Sequence, residues 1–115
     1  MELTDYALFV SFAEARARKL VAKENKVPSG AVRVLNGIAF RHSQKKNTRS
    51  RDIYAEKLAS PTLIRDYLAK LTKAGLVDKV KSGGYSQFRI SLAGLGLVSR
   101  FQRELRTNLR QFEQA

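Results

Sequence analysis

The alternation of apolar and polar positions is most regular between Ser60 and Gly75, where it predicts a short helix. Its apolar residues recur at three- and four-residue intervals and therefore share one face. They are Ile64, Tyr67, Leu68, Leu71 and Ala74. Ser60 can cap the helix with its hydroxyl, Pro61 suits the first helical position, and Gly75 supplies the positive φ that commonly ends a helix. The opposite, polar and basic face consists of Thr62, Arg65, Asp66, Ala69, Lys70 and Lys73. Taken alone, the pattern favours an ordinary amphipathic surface helix over one that enters the major groove of DNA.

Two longer helices are predicted before this one. The first runs from about residue 4 to 24 with Thr4 as its cap, and its apolar residues cover more than one face. They are Leu8, Phe9, Phe12, Ala13, Ala15 and Leu20. Such a helix must bury two faces, either against a partner subunit or within its own chain. The second helix is capped by Ser29 and reaches about His42. Its buried stripe is Val32, Leu35, Ile38 and Ala39.

The residues on either side of the 60–75 helix change its interpretation. A short helix from Arg51 to Leu58, capped by Ser50, precedes it by two residues, which predicts a helix-turn-helix. Residues 76–81 and 85–91 suit two strands around a tight turn at 82–84, with Phe88 and Ile90 pointing inward. A helix-turn-helix followed by a basic hairpin is a winged helix. A structural hairpin without a partner would explain the strands but not their charges.

A last helix is predicted from residue 92 to about 113, with Ser91 as its cap. Its apolar residues follow a seven-residue spacing that resembles a short coiled-coil seam. They are Val98, Phe101, Leu105 and Phe112, with the polar Asn108 between the last two. A polar residue in such a seam often fixes the register between strands. Together with Leu8 and Phe12, these apolar residues form a predicted dimerisation surface.

Composition bounds the partners and excludes several classes of protein. A chain of 115 residues suits a single domain, here 1–115. Twenty-two Lys and Arg against ten Asp and Glu give a charge of +12, which indicates a polyanionic partner: DNA, RNA or an anionic membrane. No apolar run approaches the ~20 residues that span a bilayer, and the first residues do not resemble a signal peptide. The chain has no cysteine and one histidine, His42, so we expect no disulfide, metal or cofactor.

The basic residues are spread over a loop, the 60–75 helix and the hairpin, and not along one amphipathic helix, which argues against membrane binding. The loop from Arg41 to Arg51 contains five of them and no acidic residue. It is either a phosphate-contacting loop or a solvated run of charge. Its candidate contacts are Lys45, Lys46, Arg49 and Arg51, and those of the hairpin are Lys79, Lys81 and Arg89.

The order of elements and several local motifs resemble the MarR family of bacterial winged-helix regulators, from about residue 29 to 94. One motif is Leu68-x-x-Leu71-x-x-Ala74-Gly75-Leu76-Val77, similar to the end of the family's recognition helix and the start of its wing. Another is Ile90-Ser91-x-x-Gly94, where the family often has Leu-Thr-x-x-Gly. Two departures are the Ser82-Gly83-Gly84 turn, where the family commonly carries Asp-x-Arg, and a short chain that leaves less room for a ligand pocket.

The resemblance implies a mostly α fold with a small β-hairpin wing (α+β). In it, N- and C-terminal dimerisation helices (about 4–24 and 92–113) flank a winged-helix core (29–91). It also implies a homodimer that binds double-stranded DNA at a pseudo-palindromic operator, in the bacterial cytoplasm and associated with the nucleoid. The alternatives are a plasmid or phage accessory factor for replication, partition or excision, and a winged helix that binds protein. An enzyme is not expected, because no nucleophile with a base and no dinucleotide fingerprint is present.

Specific roles follow for the outer face of the 60–75 helix. Ser60 and Thr62 lie at its N-terminus and can hold a phosphate. Arg65 is our choice for a guanine contact, because its forked donors match O6 and N7. Asp66 accepts from a cytosine amine, orients Arg65, or marks a face that reads something other than DNA. The predicted base-facing set is Thr62, Arg65, Asp66, Ala69 and Lys70.

Overall fold

Five helices and two strands make up the chain in the computed structural model, which describes residues 3–113, and the side chains of 5–81 and 83–111. The elements are α1 (Leu3–Glu24), α2 (Ser29–Ser43), α3 (Ser50–Ala55), α4 (Pro61–Lys73), β1 (Val77–Ser82), β2 (Tyr85–Ile90) and α5 (Leu92–Glu113). The strands form one antiparallel hairpin. The expected class, mostly α with a small β-hairpin wing, is confirmed. The predicted cap Thr4 and the seam residue Phe112 lie outside the described side chains.

The ends of α4 and the start of α5 are as predicted. The Ser60 hydroxyl accepts from the Leu63 amide at 3.3 Å, and Pro61 occupies the first turn. Gly75, at φ 75°, follows the helix. At the start of α5, the Ser91 hydroxyl accepts from the Gly94 amide at 3.0 Å and donates to the Gly75 carbonyl at 2.6 Å. This serine therefore joins the end of α4 to the start of α5.

The predicted caps of α2 and α3 were wrong by one residue. The residues with extended backbone before these helices are Pro28 (ψ 146°) and Arg49 (ψ 165°), so Ser29 and Ser50 lie in the first turn. At α3 the Asp52 carboxylate accepts from the Arg49 amide at 2.8 Å and takes over the capping role. This helix also ends at Ala55, three residues earlier than predicted.

The core lies where α2, α4, the hairpin and the inner faces of α1 and α5 meet. The predicted stripe of α4 supplies three buried residues, Ile64, Leu68 and Leu71, while Tyr67 is half-buried and Ala74 is exposed. Phe88 and Ile90 of β2 are buried, as predicted. The remaining core is formed by Ala17, Val21, Ala22, Val27, Ala31, Val32, Val34, Leu35, Ile38, Ile53, Leu76, Val77, Leu97 and Phe101.

The hairpin turns through two glycines. Ser82 pairs with Tyr85, so the loop is Gly83-Gly84, and both glycines have positive φ (60° and 88°). This is the geometry of the two-residue turns that match the twist of paired strands. An isolated antiparallel β-bridge pairs Arg49 with Gln87 along the edge of β2. Next to it, the Phe88 amide donates to the Thr48 carbonyl at 2.8 Å. The loop before α3 is therefore attached to the hairpin.

Helices α1 and α5 pack against each other as an arm in a molecule that measures 53 × 26 × 25 Å. The Asn108 amide donates to the Ala13 carbonyl at 3.5 Å, and Arg100 pairs with Glu24 at 3.4 Å, so the two helices run antiparallel. Within the single chain Asn108 thus contacts α1, and a role in the register between two chains stays a prediction. Phe101 also belongs to the core of the single chain.

Candidate nucleic-acid interface

The positive charge is concentrated in the part of the sequence that lies between α1 and α5. Residues 25–91 contain fourteen Lys and Arg against four Asp and Glu, which gives +10 of the total +12. The remaining residues contain eight basic against six acidic ones. Within residues 25–91, the cations gather around α4, the loop before α3 and the hairpin. A polyanion would therefore be attracted to this part of the molecule and not to the arm.

The outer face of α4 is open to solvent along its length. All six of its predicted polar-face residues are exposed: Thr62, Arg65, Asp66, Ala69, Lys70 and Lys73. The Lys70 ammonium lies 3.0 Å from the Asp66 carboxylate, one helical turn away. Asp66 is thus paired with Lys70 and not with Arg65 in the free protein. This ion pair accounts for the acidic residue on an otherwise basic face.

The inner face of α4 is fixed by close packing against α2. At Gly30, in the first turn of α2, a β-carbon would lie 2.5 Å from the Tyr67 hydroxyl oxygen. Only a glycine lets the start of α2 approach α4 so closely without displacing Tyr67. Leu71, at the next turn, is fully buried. The pose of α4 relative to α2 is therefore set by steric contact as well as by apolar burial.

The two faces of the hairpin carry different basic residues. Lys79 pairs across the ladder with Phe88, and Lys81 with Ser86, so both lysines share the face that also carries the buried Phe88. Arg89 pairs with Asp78 and lies on the opposite face. The sequence predicts that these three residues lie on or near the exposed side of the hairpin, but the register divides them between its two faces. All three are exposed, on two sides of the sheet.

A groove of about 560 Å³ separates α4 from the hairpin. We call it the α4–hairpin groove. It is lined by Ser50, Tyr54, Arg65, Leu68, Ala69, Thr72, Lys73, Lys79, Ser86 and Phe88. Two predicted DNA contacts from different elements, Arg65 and Lys79, meet along this groove. It combines an apolar floor with a cationic rim, so an anionic backbone could follow it beside α4.

A smaller cleft of about 340 Å³ lies between the end of α2, the loop and β2. We call it the α2–hairpin cleft. It is lined by Ile38, His42, Lys45, Lys46, Asn47, Thr48, Gln87, Phe88, Arg89 and Ile90. The structure thus brings Lys45, Lys46 and Arg89 together in a cleft that shares only Phe88 with the α4–hairpin groove. His42 is exposed at the end of α2, and no group of three potential metal ligands occurs among the described residues.

Two arginines of the loop are held by contacts within the protein. The Arg41 guanidinium donates to the Asn47 carbonyl at 2.6 Å and to the Thr48 hydroxyl at 3.2 Å, and it lies 3.4 Å from the Asp52 carboxylate. The Arg49 guanidinium stacks over the Tyr85 ring at 3.6 Å from its centroid. Arg51 is exposed on α3. The loop is therefore an ordered connection in which Arg49 faces the hairpin.

Comparison with solved structures finds this arrangement of elements in bacterial regulators. MepR, a transcription regulator of the Staphylococcus aureus multidrug efflux pump MepA, matches with a TM-score of 0.77 at 10% identity, over 99% of this chain and 84% of that one. A MepR variant bound to an oligodeoxyribonucleotide matches with a TM-score of 0.75 at 10% identity, over 99% and 83% of the chains.

Sco5413, a MarR family transcriptional regulator from Streptomyces coelicolor, matches with a TM-score of 0.67 at 19% identity, over 92% of this chain and 77% of that one. The chain has the MarR-type winged-helix fold. In this fold α3 and α4 form the helix-turn-helix, and the β1–β2 hairpin is the wing. Comparisons of the sequence with protein-family models and with curated proteins give no match. The resemblance seen in the sequence is therefore confirmed through structure.

The arm of the MarR-type fold carries the predicted dimerisation residues in two environments. Leu8 and Phe12 are 58% and 66% exposed, while Val98 and Leu105 are half-buried against the core of the same chain. Phe101 is only 7% exposed. Among the predicted dimerisation residues whose side chains are described, those of α1 are therefore exposed and those of α5 are largely covered. No helix within the described residues has the length and apolarity to cross a bilayer.

Two lysines that the site prediction omitted also border the helix-turn-helix. Lys73 lines the α4–hairpin groove and a further depression on the other flank of α4, where Lys26 lies. Lys73 was visible on the polar face of the predicted helix. Lys26 falls in the connection between α1 and α2, more than thirty residues before α4 begins. Only the packing of these segments could reveal its position.

Proposed function

We propose that the protein is a sequence-specific, double-stranded-DNA-binding transcription regulator that acts as a homodimer on a pseudo-palindromic operator. The observation that carries the proposal is the open outer face of α4, set in the part of the chain that holds +10 of the +12 charge. An α-helix fits the major groove, and its N-terminal residues lie nearest the bases. The MarR-type fold and the DNA-bound MepR variant support the same conclusion.

The residues divide into base-reading and backbone-holding groups. Thr62, Arg65, Ala69 and the Asp66–Lys70 pair face the bases, with Ser60 at the helix N-terminus near a phosphate. The flanking cations bind phosphates on the two strands. They are Lys45, Lys46, Arg51, Lys79, Lys81 and Arg89. Arg49 is reassigned from phosphate binding to holding the wing, because its guanidinium stacks on Tyr85.

The homodimer is supported by the exposed apolar side chains of α1. Tyr6, Leu8 and Phe12 expose 43%, 58% and 66% of their surface near the free end of the arm. A neighbouring copy that covers them would place two α4 helices on one duplex, with half-sites about one helical turn apart. An inverted repeat in the bound DNA follows from this symmetry.

Selection of bound sequences from random duplexes, combined with a sizing measurement of the protein, tests the proposal. We expect an enriched inverted repeat and a dimer. A monomer that enriches no sequence would contradict the proposal. Enrichment of a repeat found in the promoter of the protein's own gene would favour a transcription regulator. Enrichment of a replication or recombination site would favour the accessory-factor alternative.

A further inference from the structure

A third depression borders α4 on a flank that contains no hairpin residue. It has a volume of about 750 Å³ and lies between the α1–α2 connection and the last turn of α4. It is lined by Asn25, Lys26, Val27, Pro28, Lys70, Lys73 and Ala74. Three lysines and no carboxylate occur among these lining residues, all of which the structure describes. We call this depression the lysine cleft.

Lys26 occupies a backbone position at which glycine is usual. Its φ is 55°, and it follows the end of α1. The Lys26 amide donates to the Lys23 carbonyl at 3.3 Å, and the Val27 amide donates to the Ala22 carbonyl at 3.0 Å. This paired hydrogen bonding defines the helix-ending motif that commonly takes glycine at its left-handed residue. A β-carbon is unfavourable in this left-handed backbone conformation, so a lysine at this position lowers the stability of the fold relative to glycine.

Lys73 connects the lysine cleft with the α4–hairpin groove, because it lines both. Helix α4 is therefore bordered by cationic depressions on two flanks. A helix in the major groove of DNA lies between the two phosphate backbones that form the walls of that groove. The Asp66 carboxylate lies 3.0 Å from the Lys70 ammonium and neutralises part of its charge. Lys26 and Lys73 have no ion-pair partner within the part of the chain that the structure describes.

We propose that the lysine cleft is a second phosphate-binding site, in which Lys26 and Lys73 contact the DNA backbone on the flank of α4 away from the wing. This inference rests on the proposed function. It assigns Lys26 and Lys73 to the DNA strand opposite the one that the wing contacts. Backbone contacts of this kind fix the register of the helix without reading sequence. Loss of either lysine should therefore weaken binding to every duplex by the same factor.

The test measures duplex binding as a function of salt for Lys26→Gln and Lys73→Gln. Each phosphate contact contributes about 0.9 to the slope of log K against log salt, so each variant should lower that slope by about one for each bound protomer. Lys19→Gln is the matched control, because Lys19 is also an exposed lysine near the C-terminal half of α1 but does not line the cleft. Its slope should equal that of the parent protein.

A second variant separates binding from folding. Lys26→Gly removes the charge and also relieves the left-handed backbone, so it should raise the melting temperature while it lowers DNA affinity. A damaged fold would lower both. If the parent protein binds duplex DNA and either glutamine variant keeps the parental slope, the cleft is not a phosphate site. If the parent binds no duplex, the proposed function fails, and this inference fails with it.

Discussion

Arg65 is the residue of α4 best placed to read a base. It is exposed, lines the α4–hairpin groove, and has no ion-pair partner among the described residues, because Asp66 pairs with Lys70. We expect Arg65→Ala to weaken binding to the selected operator by about 1–3 kcal/mol and to affect a scrambled duplex much less. Fluorescence anisotropy on both duplexes measures the difference.

Arg65→Lys provides the control for that measurement. A lysine keeps the charge but lacks the forked donors that match guanine, so specificity should fall while the salt dependence stays at the parental value. Equal losses on the operator and the scrambled duplex for Arg65→Ala would assign Arg65 to the backbone. The interpretation of α4 as a base-reading helix would then pass to Thr62 and Lys70.

Three lysines have positive φ, and they offer a stability test that does not depend on DNA. Lys26, Lys45 and Lys57 each follow the end of a helix, with φ between 53° and 59°. We expect Lys57→Gly to raise the free energy of unfolding by about 1 kcal/mol, because glycine lacks the β-carbon that disfavours this backbone. Lys57→Ala keeps the β-carbon and should give no gain. Urea unfolding followed by circular dichroism measures both, and a gain for the alanine variant would contradict the explanation.

The ends of the helices differ in how well the sequence predicts them. The cap at Ser60 was predictable, because a serine, a proline and an apolar stripe occur together. At Ser29 and Ser50 the residue before the serine has the extended backbone of an N-cap. Residue preference alone cannot tell which of two neighbouring residues begins a helix. The left-handed lysines carry no sequence signal at all, because glycine or asparagine is usual at such positions.

The wing is the element whose position depends most on a contact that the sequence did not predict. Arg49 forms a β-bridge with Gln87 at the edge of β2, and its guanidinium stacks over the Tyr85 ring. Lys79 of the wing lines the α4–hairpin groove together with Arg65 of α4, so a shift of the hairpin would move the two residues apart. The Arg49–Tyr85 stack therefore links the loop before α3 to the geometry of the proposed DNA-binding surface.

A double-mutant cycle can test this positioning role. We expect Arg49→Ala and Tyr85→Ala each to weaken duplex binding, and the double variant to be no weaker than either, with a coupling energy of about 0.5–1 kcal/mol. Tyr85→Phe keeps the ring and should bind like the parent. A direct phosphate contact by Arg49 would instead make the two losses additive, and Arg49→Ala alone would lower the salt slope by about one for each bound protomer.

At the scale of the element, hydrophobic periodicity predicted all five helices and both strands, but not their mutual placement. Alternation in β2 assigned Phe88 and Ile90 to the core correctly. It could not assign Lys79 and Arg89 to opposite faces, because that requires the register between the strands. The lysine cleft was hidden for the same reason: its residues are distant in sequence and meet only through the packing of α2 on α4.

The whole molecule separates a charged part, for which we propose DNA binding, from a nearly neutral arm. Residues outside 25–91 carry only +2, and the acidic residues Glu14, Glu24 and Glu104 are paired with arginines of the same arm. The hydrogen bond from Arg100 to Glu104 raises the pKa of the arginine, which therefore stays charged. An arm with little excess charge and exposed apolar residues can approach a second copy without strong repulsion.

A second copy of the chain would cover the exposed apolar face of α1. Leu8 and Phe12 are one helical turn apart on α1 and share an exposed face, so they contribute little to the stability of a single chain. We expect Leu8→Asp with Phe12→Asp to give a folded monomer, because a dimer interface would have to bury the two carboxylates. Sedimentation analysis measures the mass, and circular dichroism checks the fold. Binding to a full operator should fall toward the affinity for a half-site, because the second contact is no longer intramolecular.

Leu92→Asp is the matched control for the dimer test. Leu92 is 88% exposed but begins α5, sixteen residues before the Asn108 that lies beside Ala13 of α1. An aspartate there changes the same exposed apolar surface at the other end of the arm, so the variant should remain a dimer. A dimer that persists in the double variant would place the contact between copies elsewhere. If the Leu8→Asp, Phe12→Asp double variant also loses affinity for a half-site, the free end of the arm contributes to DNA binding directly.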